Sequence, residues 1–580
     1  MKLHAVDWML LGLYLVFSLG VGLYFSRRAS GSLSDYFVSG RGLPWWLLGT
    51  SMVATTFAAD TPLAITGWIR TEGIWKNWFW WNYIFSHALV IVVFSRLWRR
   101  AQVITDNELI ELRYGGRPAA FLRGFKAFYF STIFNFIVMG WVITAMIKVF
   151  EVFFGVGQIY AVSLCVGIVL IYTVFSGLWG VVITDFVQYA IALGGTIILA
   201  VVVINSDAVG GYGQFVSKIA ELPPEQTSMF ITQAAGTEEF FSSDFFTFLI
   251  FMTVVWWSSH NADGGGYFIQ RLCSAKDERH ALAGTAWFAL NHYVLRLWPW
   301  VLVALASVVI FPEAAGVAGG DDESVYLVMI RDFLPPGLRG LLLVSFLAAF
   351  MSTVSTHLNW GASYLVNDLY RRFVRQSAPQ RHYVAVSRIA TVVLAVIAGA
   401  VALQIKNIGD AWIFLWAMSS GIGLVLILRW FWWRINAWSE IVALASSLAT
   451  ILVLILYTEA RGIPLELRHQ ILVVPVSIAC WVAATFVTAP ESWEKLSEFY
   501  SRVRPPGLWS PVRKKAGIAP GRGVFSSVLL NWSLVVSFLL CFMIGTGKLV
   551  LGDVETALWL LCGSALALAL ILYRRGSFFR

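Results

Sequence analysis

The chain has 580 residues, 58% of them hydrophobic and only 13% charged, against about 25% charged in an ordinary soluble protein. Soluble domains cannot hide that much apolar surface, so a water-soluble enzyme is excluded, as are intrinsic disorder, collagen and a disulfide-stapled secreted module. The net charge of +9 reads as the Lys and Arg that gather in cytoplasmic loops of membrane proteins, not as nucleic-acid binding.

A bilayer span takes about 20 mostly apolar residues. In chain order the sequence offers fifteen candidates, at about 7–26, 45–68, 78–98, 119–150, 157–175, 177–205, 243–262, 281–311, 337–370, 387–404, 409–435, 437–458, 468–489, 525–545 and 553–573. The runs are continuous and do not alternate, which excludes an antiparallel outer-membrane barrel. The N-terminus lacks a basic n-region and a small-residue cleavage site, so the first run reads as a retained span. The five cysteines, Cys165, Cys273, Cys480, Cys541 and Cys562, show no CxxC spacing and imply no disulfide or metal framework.

Basic residues follow odd-numbered spans: Arg27, Arg28 and Arg41 after the first; Arg99, Arg100, Arg113 and Arg117 after the third; Arg271, Lys276 and Arg279 after the seventh; Arg371, Arg372, Arg375 and Arg381 after the ninth. Lys495, Arg502, Arg504, Arg513, Lys514, Lys515 and Arg522 lie between the thirteenth and fourteenth, and Arg574, Arg575 and Arg580 end the chain. Two loops after even-numbered spans are acidic: Asp207, Glu221, Glu225, Glu238 and Glu239 in one, Glu313, Asp321, Asp322 and Glu323 in the other. The positive-inside rule puts the N-terminus outside and the C-terminus in the cytoplasm.

Two spans are interrupted. The second, 45–68, contains Ala58-Ala59-Asp60-Thr61-Pro62; the seventh, 243–262, runs into His260-Asn261-Ala262-Asp263-Gly264-Gly265-Gly266. Lying five spans apart, they face opposite ways in the membrane. Broken helices at matching positions of two halves point to an inverted-repeat transporter with its site at the midplane. The halves are 45–205 and 243–435, with 1–44 an added helix and cytoplasmic loop. Residues 206–242 form an external loop, and 436–580 hold about four accessory helices with a cytoplasmic loop at 490–524.

Three strings carry a resemblance. They are Ser176-Gly177-Leu178-Trp179-Gly180-Val181-Val182-Ile183-Thr184-Asp185-Phe186-Val187-Gln188; Gln270-Arg271 with Ser274-Ala275-Lys276; and Ala348-Ala349-Phe350-Met351-Ser352-Thr353 with Asn367-Asp368-Leu369-Tyr370. In this order and spacing the chain resembles the sodium:solute symporter family over roughly residues 5–435. The resemblance implies an all-α polytopic membrane protein with a LeuT-type core of two inverted five-helix repeats and one extra N-terminal helix. It implies sodium-driven import of a sugar, amino acid, carboxylate, vitamin or ion. Some members fuse the transporter to a sensor kinase, and no such domain fits the apolar C-terminal portion.

Carried over residue by residue, the resemblance implies a main sodium site: the carbonyls of Ala54, Phe57 and Ala349 and the hydroxyls of Ser352 and Thr353. Sodium is a hard cation that takes oxygen ligands. The competing reading is that Ser and Thr bond their own helix carbonyls. A second site is implied at Asp185, Ser352, Ser355 and Thr356; the alternatives are that Asp185 bonds hydroxyls or an internal basic residue and holds no ion, or marks sodium's exit path.

Asp60, Thr61 and Asn82 are solute candidates, because a carboxylate at membrane depth is costly; Asp60 as an N-cap is the alternative. Trp256, Trp257, His260 and Asn261 are further candidates, against an interfacial Trp pair and a helix cap. His292 and Arg296 in the eighth span can face the cavity or pack against an acid. His357, one turn beyond Thr353, lines the cavity or is a packed, hydrogen-bonded histidine. No HExxH, GxSxG or P-loop string occurs, which speaks against a catalytic metal, a membrane enzyme and ATP-driven transport.

The sequence therefore reads as a sodium-coupled symporter of the plasma (bacterial inner) membrane. Its partners are a small polar solute, Na⁺ and the lipid bilayer, with no organic cofactor and no nucleic acid; the solute's identity and the oligomeric state stay open. The rival readings are a solute sensor that kept the transporter fold and a proton-coupled carrier.

Overall fold

The computed structural model describes residues 3–29, 33–231, 240, 243–313, 319–463, 465–518 and 525–579. Of the loop charges above, Glu238, Glu239, Arg522 and Arg580 lie outside these residues. In hydrocarbon every backbone polar group must be bonded within the chain, and continuous apolar runs meet that need as helices. Among the described residues the β pairing is confined to two isolated bridges, Leu43 with Ala275 and Trp432 with Leu508.

The main helices are α1 (Ala5–Ala29), α2 (Trp45–Thr56), α3 (Asp60–Thr71), α4 (Ile74–Ala101), α5 (Gly116–Phe154) and α6 (Gln158–Ile204). They continue as α7 (Asp244–Ser258), α8 (Gly266–Ser274), α9 (Glu278–Ile310), α10 (Leu338–Val374), α11 (Gln380–Ala402), α12 (Ile408–Ser419) and α13 (Gly423–Phe431). The chain ends with α14 (Ala437–Arg461), α15 (Val473–Val487), α16 (Trp493–Val503), α17 (Phe525–Val550) and α18 (Val554–Tyr573).

Among the described residues nine helices are long and apolar enough to cross a membrane, and ten if α12 and α13, bent by 47°, count as one span. The remaining predicted spans fall on shorter apolar helices, Ala5–Val21, Gln158–Leu170, Asp244–Ser258 and Val473–Val487, and on the broken pair α2–α3. Predicted spans 157–175 and 177–205 are one helical run of 47 residues, α6, which at 1.5 Å per residue is long enough for two crossings. Its two legs have different neighbours. Val162 and Val166 lie beside Gly399 of α11, and Gly195 lies beside Leu342 and Ser345 of α10.

Helix α10 is the hub. Every residue from Leu342 to Ser363 is buried, and the helix packs against α1, α2, α5, α6, α8 and α11. Small residues along it let neighbours approach closely, as membrane helix packing requires. Its N-terminus is held by α1, where Asp7 accepts hydrogen bonds from the Gly337 and Gly340 amides at 2.7 and 2.9 Å. The C-terminal hairpin α17–α18 docks through α17 on α4 and α9.

Candidate functional site

Helix α2 stops at Phe57, whose backbone leaves the helix (φ −92°, ψ 69°), and α3 begins at Asp60. Pro62 falls in the first turn of α3, where its missing N–H costs no bond. Ala59 holds the N-cap position without a side-chain cap bond, so Asp60 does not play the capping role considered above. Its Oδ2 instead accepts from Trp412 Nε1 at 3.1 Å, and its Oδ1 is buried without a hydrogen-bond partner.

Facing this break from α10, the Thr353 hydroxyl lies 2.9 Å from the Thr55 carbonyl and 3.0 Å from the Ala349 carbonyl. The Phe57 amide donates to the Ala54 carbonyl at 3.1 Å. Break and hub therefore meet at oxygens, the donor chemistry a hard cation takes. Ser352 turns the other way and donates to Asp185 Oδ1.

The second break, Ser259–Gly265, is longer. Gly264 and Gly265 have φ of +128° and +72°, the region that favours glycine. A Cβ on Gly266 would stand 2.1 Å from the Trp360 ring. Asp263 is clamped from α13: its Oδ2 accepts from Arg429 at 2.7 Å and from Trp430 Nε1 at 2.8 Å. Arg429 also reaches Glu440, which takes Lys126 of α5.

Between the two breaks lies a cavity of about 260 Å³. Asp60, Thr61, His260, Asn261, His292, Arg296 and His357 all line it, as does Thr353. Three other candidates lie elsewhere. Asn82 turns its amide onto the Trp78 and Phe79 carbonyls of its own helix, and Trp257 donates to the Thr253 carbonyl. Trp256 stacks on Trp532 of α17. Trp80 and Tyr83 beside Asn82, and Ser259 beyond Trp257, line the cavity instead, and apolar neighbours on all sides conceal that choice of face in the sequence.

The lining histidines are held, His87 by the Tyr293 hydroxyl at 2.6 Å. His292 Nδ1 lies 2.6 Å from Arg296 and 3.1 Å from the Thr56 hydroxyl; His260 lies 3.2 Å from the Ser419 hydroxyl, and His357 lies 2.7 Å from Asn135 Oδ1. Arg296, 1% exposed, sits over the Phe57 and Trp300 rings, and its Nε is buried without a partner. Neither Arg296 nor Asp60 has an ion-pair partner among the described residues. Sequence reasoning missed the aromatic wall of the cavity, including Trp80, Phe134, Tyr267, Trp412 and Trp416. π-helical turns at Phe130–Phe134 and Asn291–Leu295 bring Phe134 and His292 inward, and no residue pattern announces such turns.

Around Asp185, Ser51 and Ser352 both donate to the carboxylate. Ser355 bonds the Ser352 carbonyl of its own helix, and the Thr356 hydroxyl accepts from Arg271 at 2.7 Å. Arg271, fully buried, stands 3.9 Å from Asp185 and is a partner the sequence analysis did not name. Asp185 and Ser352 are thus brought together, while Ser355 and Thr356 bond other groups.

The sodium:solute symporter family model matches residues 36–448. The sodium/glucose cotransporter of Vibrio parahaemolyticus is 24% identical over 469 residues, 77% of this chain and 84% of its own. The osmoregulated proline transporter OpuE of Bacillus subtilis (strain 168) is 25% identical over 458 residues, 76% of this chain and 87% of its own. Among solved structures, the substrate-bound outward-open state of a Na⁺-coupled sialic acid symporter superposes with a TM-score of 0.68 at 19% identity. That match covers 84% of this chain and 99% of the other.

Proposed function

The chain belongs to the sodium:solute symporter family, and we propose that it couples the entry of Na⁺ at the α2–α3 break to the import of a small polar solute held in the central cavity. It is a multi-pass membrane protein of LeuT-like fold and a transporter, not an enzyme. The sodium ligands are the carbonyls of Ala54, Phe57 and Ala349 and the hydroxyls of Ser352 and Thr353. One observation carries the reading: Thr353 bonds the Thr55 carbonyl beside the break as well as the Ala349 carbonyl of its own helix, and it lines the solute cavity. An ion drawing on Thr353 reorders a wall of the solute site, which is the differential contact that coupling needs. For Ser352 to join, its hydroxyl must turn away from Asp185.

Asp60 Oδ1 and Arg296 Nε are buried and unpartnered, and orphaned polar groups are costly unless a ligand satisfies them. The solute therefore offers a donor to Asp60 and an acceptor to Arg296, with the aromatic wall packing its apolar part. Of sugars, carboxylates and amino acids, a zwitterionic amino acid answers both charges. Inverted repeats at 45–205 and 243–435, about fifteen spans, an external N-terminus and a cytoplasmic 490–524 loop in the plasma (bacterial inner) membrane complete the reading, supported by the loop charges.

A thermal-shift screen of the purified protein against amino acids, sugars and carboxylates, with and without Na⁺, finds the solute; stabilisation by amino acids only when Na⁺ is present is expected. Uptake into proteoliposomes then separates a carrier from a sensor, which binds without accumulating. Uptake that survives replacement of Na⁺ by K⁺ or choline rejects sodium coupling.

A further inference from the structure

On the face that carries the basic loops, the end of α4, the segment Tyr500–Arg513 and the hairpin α17–α18 enclose a cavity of about 1000 Å³. Six arginines line it: Arg96, Arg100, Arg502, Arg504, Arg513 and Arg574. Among the described residues the lining holds one carboxylate, Glu278, and Arg100 engages both of its oxygens, at 2.9 and 2.8 Å. The other five guanidiniums have no ion-pair partner among the described residues. Arg96 Nε is buried with no hydrogen-bond partner. Gathering like charges around a cleft raises the local potential and draws in anions.

A second observation says what kind of anion. A mostly apolar cleft of about 190 Å³ lies between the same helices, with Arg575 and Phe578 at its end beyond α18. Ile91 of α4 adjoins Val92 of the basic cavity; Val535 of α17 is one turn past Asn531, and Ile571 of α18 is one turn before Arg574. Phe538, Leu539, Leu568 and Leu572 add to its apolar wall. Charge at the membrane surface with a greasy slot below it matches an amphiphile, whereas inorganic phosphate or a nucleotide answers the arginines alone.

We propose that this composite site binds an anionic phospholipid of the adjacent leaflet, its phosphate among the arginines and an acyl chain in the apolar cleft. Basic pockets between membrane helices on the cytoplasmic side suit such headgroups. The lipid bridges the accessory hairpin to the core beside the direct bond from Trp532 Nε1 to the Phe85 carbonyl, 2.8 Å long. It is therefore a structural ligand, independent of which solute is carried.

The test titrates lipid-depleted full-length protein in detergent with phosphatidylglycerol, phosphatidylcholine or inorganic phosphate and follows the thermal unfolding midpoint. Phosphatidylglycerol raises it and phosphatidylcholine does not. Arg504 and Arg513 make no side-chain hydrogen bond among the described residues, so the Arg504→Asn/Arg513→Gln double variant folds. At about 1 kcal/mol per basic residue it binds phosphatidylglycerol about thirtyfold more weakly, while Arg504→Lys/Arg513→Lys keeps most of the affinity. Equal stabilisation by phosphatidylcholine, or unchanged phosphatidylglycerol affinity in the Asn/Gln variant, overturns the site. Phosphate that matches phosphatidylglycerol overturns the lipid and leaves a soluble anion.

Discussion

The break between α2 and α3 takes three residues, Phe57 to Ala59, and no glycine, whereas the break between α7 and α8 takes seven, Ser259 to Gly265. The first is closed mainly by hydroxyls and carbonyls, with Thr353 across from Thr55 and Arg296 donating to the Val53 carbonyl at 3.4 Å. The second is nailed down by a buried charge pair, Asp263 with Arg429, and by an indole from Trp430. Neutral oxygens exchange partners cheaply; a desolvated ion pair does not. The difference supports a division of labour under the proposed function: the first break answers Na⁺, and the second is the fixed frame it works against.

The largest effect is expected from cutting the clamp. Arg429→Ala leaves Asp263 and Glu440 buried with one cation fewer, a loss of about 3–5 kcal/mol. Thermal unfolding in detergent reads it, and adding Asp263→Asn recovers part of the loss. If Arg429→Ala unfolds no earlier than Thr353→Ala, the second break is not the rigid one. A smaller effect is expected at Gly266, where an added methyl meets the Trp360 ring at 2.1 Å. Gly266→Ala costs about 1–3 kcal/mol by overpacking, and Ala59→Gly at the first break costs less than 1 kcal/mol.

Much of this comparison was legible in the sequence. Asp60 with Pro62, and three consecutive glycines, mark the breaks because few helices tolerate those residues. The hydroxyl pair Ser352-Thr353 was legible too, but only through the family resemblance, since the residues alone also suit ordinary back-bonding. The clamp was not. Asp263 and Arg429 are separated by 166 residues, and nothing local tells a buried arginine from one in a basic loop. The same blindness hid Arg271, counted among the loop charges after the seventh span yet fully buried. It also hid the cavity's aromatic wall, since Trp412 and Trp416 look like any aromatic in an apolar span.

At the first break the expected effects appear as affinity rather than stability. Thr353→Ala and Ser352→Ala each remove one of the proposed neutral ligands, and each is expected to raise the Na⁺ concentration for half-maximal uptake. The larger rise is expected for Thr353, about tenfold, as for a contribution near 1.4 kcal/mol. Thr353 already faces the break, whereas Ser352 must first leave Asp185. Sodium dependence unchanged in both variants rejects the assignment.

The smallest effect is expected at Asp185, where the question is whether a second ion enters. With Ser51 and Ser352 donating to its carboxylate, the shell resembles a cation site. The positive charge facing it is nevertheless already supplied: Arg271 is fully buried at 3.9 Å and is held there by Thr356 and Gln270. A guanidinium cannot be neutralised at ordinary pH, so a sodium ion beside Asp185 would share one carboxylate with a second fixed cation. Ser355 and Thr356, the hydroxyls a second site needs, bond elsewhere. Uptake should therefore show a sodium Hill coefficient near one, and Asp185→Asn, whose amide oxygen still accepts one hydroxyl, should leave that coefficient unchanged. A wild-type coefficient near two that falls to one in Asp185→Asn, with a charge-to-solute ratio of two sodium ions, would instead establish the second site at Asp185, Ser352, Ser355 and Thr356 and require Arg271 to swing away during the cycle.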